Sequence, residues 1–454
     1  MPIRMIKPEE FERLNKLLVK SYRAEKDQRF QRLNQAMPLR ENGGFVYELS
    51  AEEAKALNLS AGEFVSFVGI YTQKLNYYGT PILNGGIRWV CTAPEVRKKG
   101  YGLATMKKAL DYMESNHDIS ILFSGAHRFY EKLGWCSNIP NYRYEIDYAE
   151  LMEYSMDSDD KMRLQFDIGN LDEIKEIQSI QSYFQYDKLF SVLRSVKDWE
   201  RMFKADPYKM FHYALISFKQ NVIGYLSFTL ESKKSKLRGK NKVNVVVNEA
   251  SSRYRENKGI SILQGFMEFV QEEMLNSEKD EIEKIVFTIA PVHELIEAGF
   301  ETDLIKHAKT SIQSGGMVRI TNPYTLLEKM RPKLLEQLQT LEKHPFSTLK
   351  LWLELDSSGN YPGGLLIEKT ETGPWEITIQ KTTLSALEMK EAQANFEHVA
   401  CRSIRGLTNL IVGGFTAKEL VERKEMTKPK KDIIKLLDLL FPATNFCFYT
   451  NDRF

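Results

Sequence analysis

The sequence predicts a mixed α/β fold in three regions, and three observations predict it. Strand-like apolar runs alternate with helical periodicities over the first third of the chain, and the middle third repeats that order. The last third carries three strand-like runs followed by an amphipathic helix, a small α+β unit by pattern. At 454 residues the chain is too long for one ordinary core, which agrees with a division into three.

The first region opens with Phe11, Leu14, Leu17 and Leu18 at helical spacing, followed by the strand-like runs FVYEL, FVSFVGIYT and GGIRWVCTA. A second helix is expected after Gly102, because Leu103, Met106, Leu110 and Met113 recur at helical intervals. ISILF at 119–123 reads as a buried strand. HRFYEKL reads as a short helix stopped at Gly134, a residue suited to the left-handed conformation beyond a helix end.

In the middle region HYALISF, VIGYLSFTL and KVNVVVNEA read as strands, and ISILQGFMEFVQEEML reads as a helix with one apolar face. The basic run KKSKLRGKNK at 233–242 lies between strands, where a solvated hairpin tip is the expected reading. The third region is expected to open near Gly315 with GGMVRITNP. The strands STLKLWLEL, GGLLIEK and WEITIQK follow, with the helix KKDIIKLLDLLF near the end. The last residues, NFCFYTNDRF, are aromatic where most chain ends are polar, so the tail is expected to pack against the body.

Composition narrows the function classes. Hydrophobic residues at 43% and charged residues at 27% exclude a disordered chain. A formal net charge of +2 offers no field of one sign, so neither a nucleic-acid coat nor a binder of anionic membranes is expected. Cys91, Cys136, Cys401 and Cys447 are widely spaced without a CxxC pair and read as free thiols of a reducing, cytoplasmic compartment. MPIRMIKPEEFERL lacks the apolar core of a signal peptide, and no run of about 18 apolar residues could span a bilayer. The seven histidines form no HxxxH or Cys/His cluster, so no metal is expected.

The stretch GGIRWVCTAPEVRKKGYGLAT concentrates the chemistry. A strand ending at Thr92, a short loop and a helix starting near Gly102 would point several unpaired N–H groups at one spot, where the helix dipole also favours an anion. Gly100 and Gly102 let the backbone bend and approach a diphosphate, and Arg97, Lys98 and Lys99 add positive charge. The spacing matches neither GxxxxGK[ST] nor GxGxxG, so a nucleotide-triphosphatase loop or a dinucleotide turn is disfavoured.

Arg97-Lys98-Lys99-Gly100-Tyr101-Gly102 resembles the R/Q-x-x-G-x-G/A signature of the GCN5-related N-acetyltransferases, preceded as in that family by Val90, Thr92, Pro94 and Glu95. Phe129-Tyr130-Glu131-Lys132-Leu133-Gly134-Trp135 resembles the family's FYEKLGF segment. The pair of motifs in this order is more specific than either alone. The whole-chain layout resembles the Eis-like acetyltransferases, which join a catalytic acetyltransferase domain, a degenerate second one and a sterol-carrier-protein-like domain. The resemblance implies boundaries at 1–155, 156–314 and 315–454, with MVRITNP as the linker and RYRENKGIS (Arg255, Gly259, Ser261) as a decayed second loop.

The resemblance also implies acetyl-coenzyme A as acyl donor. Val90, Cys91 and Thr92 would lie along its pantetheine arm, and Arg97, Lys98, Lys99, Gly100, Tyr101, Gly102 and Leu103 around its diphosphate. It implies Tyr130 as the acid that protonates the departing thiolate and the terminal carboxylate of Phe454 as the proton acceptor for the amine. A small-molecule or lysine-bearing amine would be the acceptor, met by Glu25 and Asp452, with Arg453 giving the site mixed charge. Relatives of this type form homo-oligomers, up to a hexamer. The competing reading is a catalytically silent regulator that binds acyl-coenzyme A or lipid. Cys91 reads as a small apolar filler, since no base stands beside it to make it a nucleophile, and His127 as a surface or capping residue.

Overall fold

Backbone pairing in the computed structural model runs almost without interruption through the first two regions. The residues described are 2–24, 43–153, 163–165, 171–185, 189–205, 212–218, 221–233, 240–252, 266–275, 279–288, 308–340, 346–381, 397–412 and 414–443. The mixed α/β class expected from the alternation is the class observed.

The first region comprises β1 (Ile3–Met5), α1 (Phe11–Tyr22), β2 (Gly44–Glu48), α2 (Ala51–Leu57), β3 (Phe64–Tyr77), β4 (Thr80–Thr92), α3 (Tyr101–Asn116), β5 (Ile119–Phe123), α4 (His127–Glu131) and β6 (Cys136–Asp147). Helix α1 buries Leu14, Leu17 and Leu18, the stripe its spacing predicts, against Phe64, Val65 and Phe67 of β3. Strands β3 and β4 run well beyond the apolar runs seen in sequence and meet in a two-residue turn at Tyr78 (φ 47°) and Gly79 (φ 83°). Both turn residues take positive φ, the geometry that suits a tight hairpin, but a tyrosine there is rare and hid the turn from sequence.

After α5 (Tyr148–Glu153) the middle region supplies β7 (Arg163–Gln165), α6 (Leu171–Gln185), β8 (Val192–Leu193), α7 (Val196–Ala205), β9 (His212–Phe218), β10 (Asn221–Lys233), β11 (Asn241–Ser252) and β12 (Asp280–Phe287). The strands expected there are β9, β10 and β11. Of the expected helix at 260–275, residues 266–274 are described and helical. RYRENKGIS and the centre of the basic run, 234–239, lie outside the described residues.

The third region differs most from expectation. Residues Lys309–Ile320 form β13, which inserts between β5 and β6: its second half pairs antiparallel with β5 (Gly316 opposite Phe123) and its first half with β6 (Lys309 opposite Glu145). The boundary expected at 314/315 therefore falls inside a strand, and MVRI, read as linker, belongs to the first region's sheet. The alternation of GGMVRI supports strand or linker equally until its partners are known. The full sheet has the order β1-β2-β3-β4-β5-β13-β6-β12-β11-β10-β9-β7, with β8 joined to β3.

Beyond β13 come α8 (Pro323–Gln339), β14 (Leu349–Glu354), β15 (Gly364–Lys369), β16 (Trp375–Gln380), β17 (Glu397–Ala400), α9 (Ile404–Ile411), α10 (Ala417–Glu422) and α11 (Lys431–Leu440). The four strands form a separate sheet, β16-β15-β14-β17. Leu326, Leu327, Met330, Leu334 and Leu338 of α8 are buried in one continuous core with Ile82, Ile119 and Ile121 of the first region. Each such burial contributes roughly 1.5–3 kcal/mol relative to exposure, so this seam joins the first and third regions firmly.

Candidate functional site

The bend anticipated after Thr92 is present. Beyond β4, Pro94–Val96 makes a tight turn, Lys98 (φ 64°) and Gly100 (φ 92°) swing the chain round, and α3 begins at Tyr101 with Gly100 as its cap. A Cβ at Gly100 would meet only open space, so its left-handed backbone is what calls for glycine there. Gly102 is different: a Cβ would stand 2.8 Å from Thr92 Oγ1, because the first turn of α3 presses against the end of β4. The Ala104 N–H donates to the Gly100 carbonyl at 3.0 Å, which leaves the N–H groups of Tyr101, Gly102 and Leu103 as those a helix start cannot satisfy internally. These amides and the helix dipole make a seat for an anion.

A pocket of about 330 Å³ adjoins this seat. Ser21 and Tyr22 at the end of α1, Val90, Cys91 and Thr92 of β4, and Gly102 line it, with Arg97 and Phe129 at its edges. Its shape comes from β4. Phe67 lies opposite Cys91 but Gly69 opposite Arg88, so β4 carries one extra residue, a bulge, and Trp89 within it has φ 52°. On its other side β4 pairs parallel with β5 at Asn84–Ile119 and Ile87–Leu122, before the bulge. Past that point the two strands no longer pair, and β5 ends at Phe123.

The side chains take unequal parts. Arg97 Nε donates to the Thr92 carbonyl at 3.1 Å and Nη2 to the Ser21 carbonyl at 2.7 Å, so the guanidinium clasps α1 to the end of β4 while its charge stays beside the seat. Lys98 and Lys99 are exposed. The Tyr101 ring packs edge-on to Tyr47 at 4.7 Å, leaving its backbone as the group available to the seat. Leu103 is exposed on the first turn. Burial pushes the Cys91 thiol up to about 12, so it stays protonated near neutrality, as expected of a filler rather than a nucleophile.

Tyr130 is buried, edge-on to Phe129 at 5.0 Å and to Trp135 at 6.2 Å. Burial holds its phenol above the ordinary value, opposed by a hydrogen bond with Ser124. Sequence reasoning missed Tyr22. Tyr22 as a whole is exposed, but its hydroxyl donates to the Val90 carbonyl at 3.0 Å, and desolvation at that hydroxyl, then Cys91 and Tyr130, raise its pKa. Tyr22 and Cys91 of the pocket lining and the buried Tyr130 beside it are thus electrostatic neighbours. The available signal was Tyr22's place at the end of α1, outside the Leu14, Leu17, Leu18 stripe. His127 shares a hydrogen bond of 2.7 Å between Nδ1 and Ser137 Oγ. Glu25, Asp452, Arg453 and Phe454 lie outside the described residues. Among the described residues no group of three His, Cys, Asp or Glu side chains could hold a metal, and no helix is long and apolar enough to cross a membrane.

Parallel strands that cease to pair, a bulge just beyond and a glycine-capped helix beside it make up one fold signature. Residues 2–137 match the family model of the acetyltransferase (GNAT) domain. Among solved structures the whole chain is similar to a conserved protein of unknown function, a probable N-acyltransferase, from Enterococcus faecalis V583, at 17% identity over 100% of this chain and 99% of that one with a TM-score of 0.69. It is also similar to a GCN5-related N-acetyltransferase from Anabaena variabilis ATCC 29413, at 16% identity over 98% of each chain with a TM-score of 0.67. The chain is likewise similar to Eis1 from Mycobacterium abscessus, at 12% identity over 100% of both chains with a TM-score of 0.64. At these identities the likeness is one of fold. No curated protein matches the sequence. The match over residues 2–137 and these likenesses of fold support acyl transfer as the general chemistry.

Proposed function

We propose that the chain is an acetyl-coenzyme A-dependent N-acetyltransferase that acetylates a primary amine, an aminoglycoside-like polyamine or a lysine side chain, by direct attack in a ternary complex. The observation that carries the reading is the pocket between the end of β4 and the first turn of α3. Its residues suit the donor: unsatisfied amides at Tyr101, Gly102 and Leu103 for a diphosphate, and the edge of β4 at Val90–Thr92 for an extended amide-bearing arm. Acetyl-coenzyme A, as substrate, supplies an acyl group on a good sulfur leaving group.

The chain's own part is binding, orientation and proton transfer. An ordinary alkyl amine is largely protonated at pH 7 and must lose a proton to attack. In this proposal the terminal carboxylate of Phe454 accepts that proton, directly or through a water. As the C–N bond forms and the C–S bond breaks, Tyr130 donates its phenolic proton to the departing sulfur, and the proton that the new amide nitrogen sheds returns through water to the Tyr130 phenolate. Its raised pKa keeps that proton in place through the neutral range. Glu25 and Asp452 are proposed to meet the amine. The proposal keeps 156–314 as a second, degenerate acetyltransferase-like unit, the remainder as sterol-carrier-protein-like, a cytoplasmic setting and a homo-oligomer.

The test is to incubate the chain with acetyl-coenzyme A and a panel of amines and follow free thiol. Amine-dependent release supports transfer, while tight donor uptake without turnover assigns a silent binder instead. Adding a few residues after Phe454 moves the carboxylate without deleting a side chain; turnover should fall sharply with donor affinity kept. Unchanged turnover removes the carboxylate from the mechanism.

A further inference from the structure

We propose that Arg319 is a positioning residue for this reaction: it ties the turn that follows Tyr130 to the far end of the helix whose first turn forms the donor seat. The proposal rests on the acetyltransferase reading of that site. Arg319 is buried on β13, the strand that inserts between β5 and β6. Its Nη1 donates to the Leu133 carbonyl, three residues after Tyr130. Its Nη2 donates to Glu114 Oε1 at 2.9 Å, on the last turns of α3, and to Tyr361 Oη at 3.0 Å. Tyr361 Oη in turn donates to Glu114 Oε1 at 2.6 Å.

The grip continues to the phenol through packing. The guanidinium lies 5.4 Å from the Trp135 ring centre, and Trp135, fully buried, meets Tyr130 edge-on. Gly134 adopts φ 91°, and a Cβ there would stand 2.9 Å from Ile404 and 3.3 Å from Arg319 Nη1, so the turn is shaped to approach Arg319 and α9. One planar fork therefore reaches an acceptor on the Tyr130 turn and another on the end of α3 remote from the seat, a geometry a lysine ammonium cannot reproduce. Removing it leaves the Leu133 carbonyl and the Glu114 carboxylate short of a donor and frees the Tyr130 turn from α3. A displacement of about 1 Å in a reacting group costs up to roughly a hundredfold in rate.

The experiment uses the full chain with Arg319→Met, Arg319→Lys and Tyr361→Phe, and with Lys350→Ala as control, which removes an exposed ion pair to Glu368 in the same region. Amine-dependent kcat, KM for acetyl-coenzyme A and the fluorine resonance of fluorotyrosine placed at position 130 are measured on each. For Arg319→Met the expected result is a fall in kcat of about tenfold to a hundredfold, KM held within about twofold and a displaced resonance. Arg319→Lys should recover part of the loss, Tyr361→Phe should lose less, and Lys350→Ala should match the unaltered chain. Unchanged kcat in folded Arg319→Met, or a loss with the resonance unmoved, overturns the proposal. If Arg319→Met does not fold, Arg319→Lys decides: lowered kcat at constant KM with a displaced resonance supports it, and values of the unaltered chain overturn it. Absence of turnover in the unaltered chain sinks the transferase reading instead, and the resonance then decides alone whether Arg319 holds Tyr130.

Discussion

Two bulged strands, β4 and β11, meet the same geometric event and set different side chains beside it. In β10–β11, Phe228 lies opposite Val247 and Ser227 opposite Glu249, so Asn248 is the extra residue, as one residue is extra in β4. Each bulged strand has a parallel neighbour on its other side. In the first region that pairing ends at Ile87, ahead of the bulge, and a pocket follows. In the middle region pairing likewise ends just ahead of the bulge, at Val247–Phe287, but there the next residue of the neighbour stays bonded to the strand: the Thr288 N–H donates to the Val247 carbonyl at 3.0 Å and its hydroxyl to Asn248 Oδ1 at 3.4 Å.

The residue after the bulge differs in kind. In β4 it is Cys91, whose small thiol lines the pocket. In β11 it is Glu249, fully buried, whose carboxylate accepts from Arg194 Nη1 at 2.7 and 2.9 Å and from Tyr225 Oη at 2.5 Å. Trp199 lies over the Arg194 guanidinium, 4.6 Å away. Burial, then the Glu249 charge, holds the Tyr225 phenol well above its ordinary value. The lesson is that the same bulge borders a pocket or a buried ion pair, according to whether the next side chain is small or finds charged partners.

The comparison breaks most visibly at the ion pair. Arg194→Met leaves Glu249 buried without its cation and should cost about 3–5 kcal/mol by urea unfolding, with donor uptake per folded chain unchanged. A loss below about 1 kcal/mol would mean that the pair does not hold the middle region together.

Next in size is the pocket side. Tyr130→Phe should lower turnover by roughly a hundredfold, about 2.7 kcal/mol, with little change in donor binding. Because burial raises the Tyr130 pKa, the acid form persists through neutral pH and is lost only as pH rises through that raised value. The falling limb of the pH–rate profile should therefore lie above the ordinary phenol value of about 10 and vanish in the variant. A falling limb near neutrality would assign the acid elsewhere.

Smaller again, Gly100→Val forces a branched side chain into φ 92° and should weaken coenzyme A binding by about tenfold in calorimetry, roughly 1.4 kcal/mol. Least of all, Thr288→Val removes the hydroxyl bonded to the Val247 carbonyl at 3.2 Å and should cost about 1 kcal/mol. Calorimetry should still count one coenzyme A per chain. Uptake of a second would show that the middle region binds it as well.

Much of the site was legible because it is built from local backbone chemistry. The end of a strand at Thr92, the need for glycine at 100 and the helix start at 101 follow from residue types in one short stretch. The apolar stripe of α1 was equally readable, and that of α3 in part: Met106, Leu110 and Met113 are buried as periodicity states, while Leu103 is exposed on the first turn. What escaped reading depends on partners distant in the chain. Trp89 carries no mark of a positive φ, Arg97 none of its bonds to Ser21 and Thr92, and Tyr78 none of a hairpin turn.

The sequence by itself therefore determined the class and the glycine-bearing bend between β4 and α3, because these rest on periodicity and on glycine's missing Cβ. Only the tertiary structure decided that β13 crosses into the first sheet, that a pocket borders the bulge of β4 and a buried ion pair that of β11, and that Arg319 joins the Tyr130 turn to the far end of α3. Those outcomes depend on strand register and on which buried polar groups find partners, and both are settled only when residues hundreds of positions apart are brought within a few ångströms.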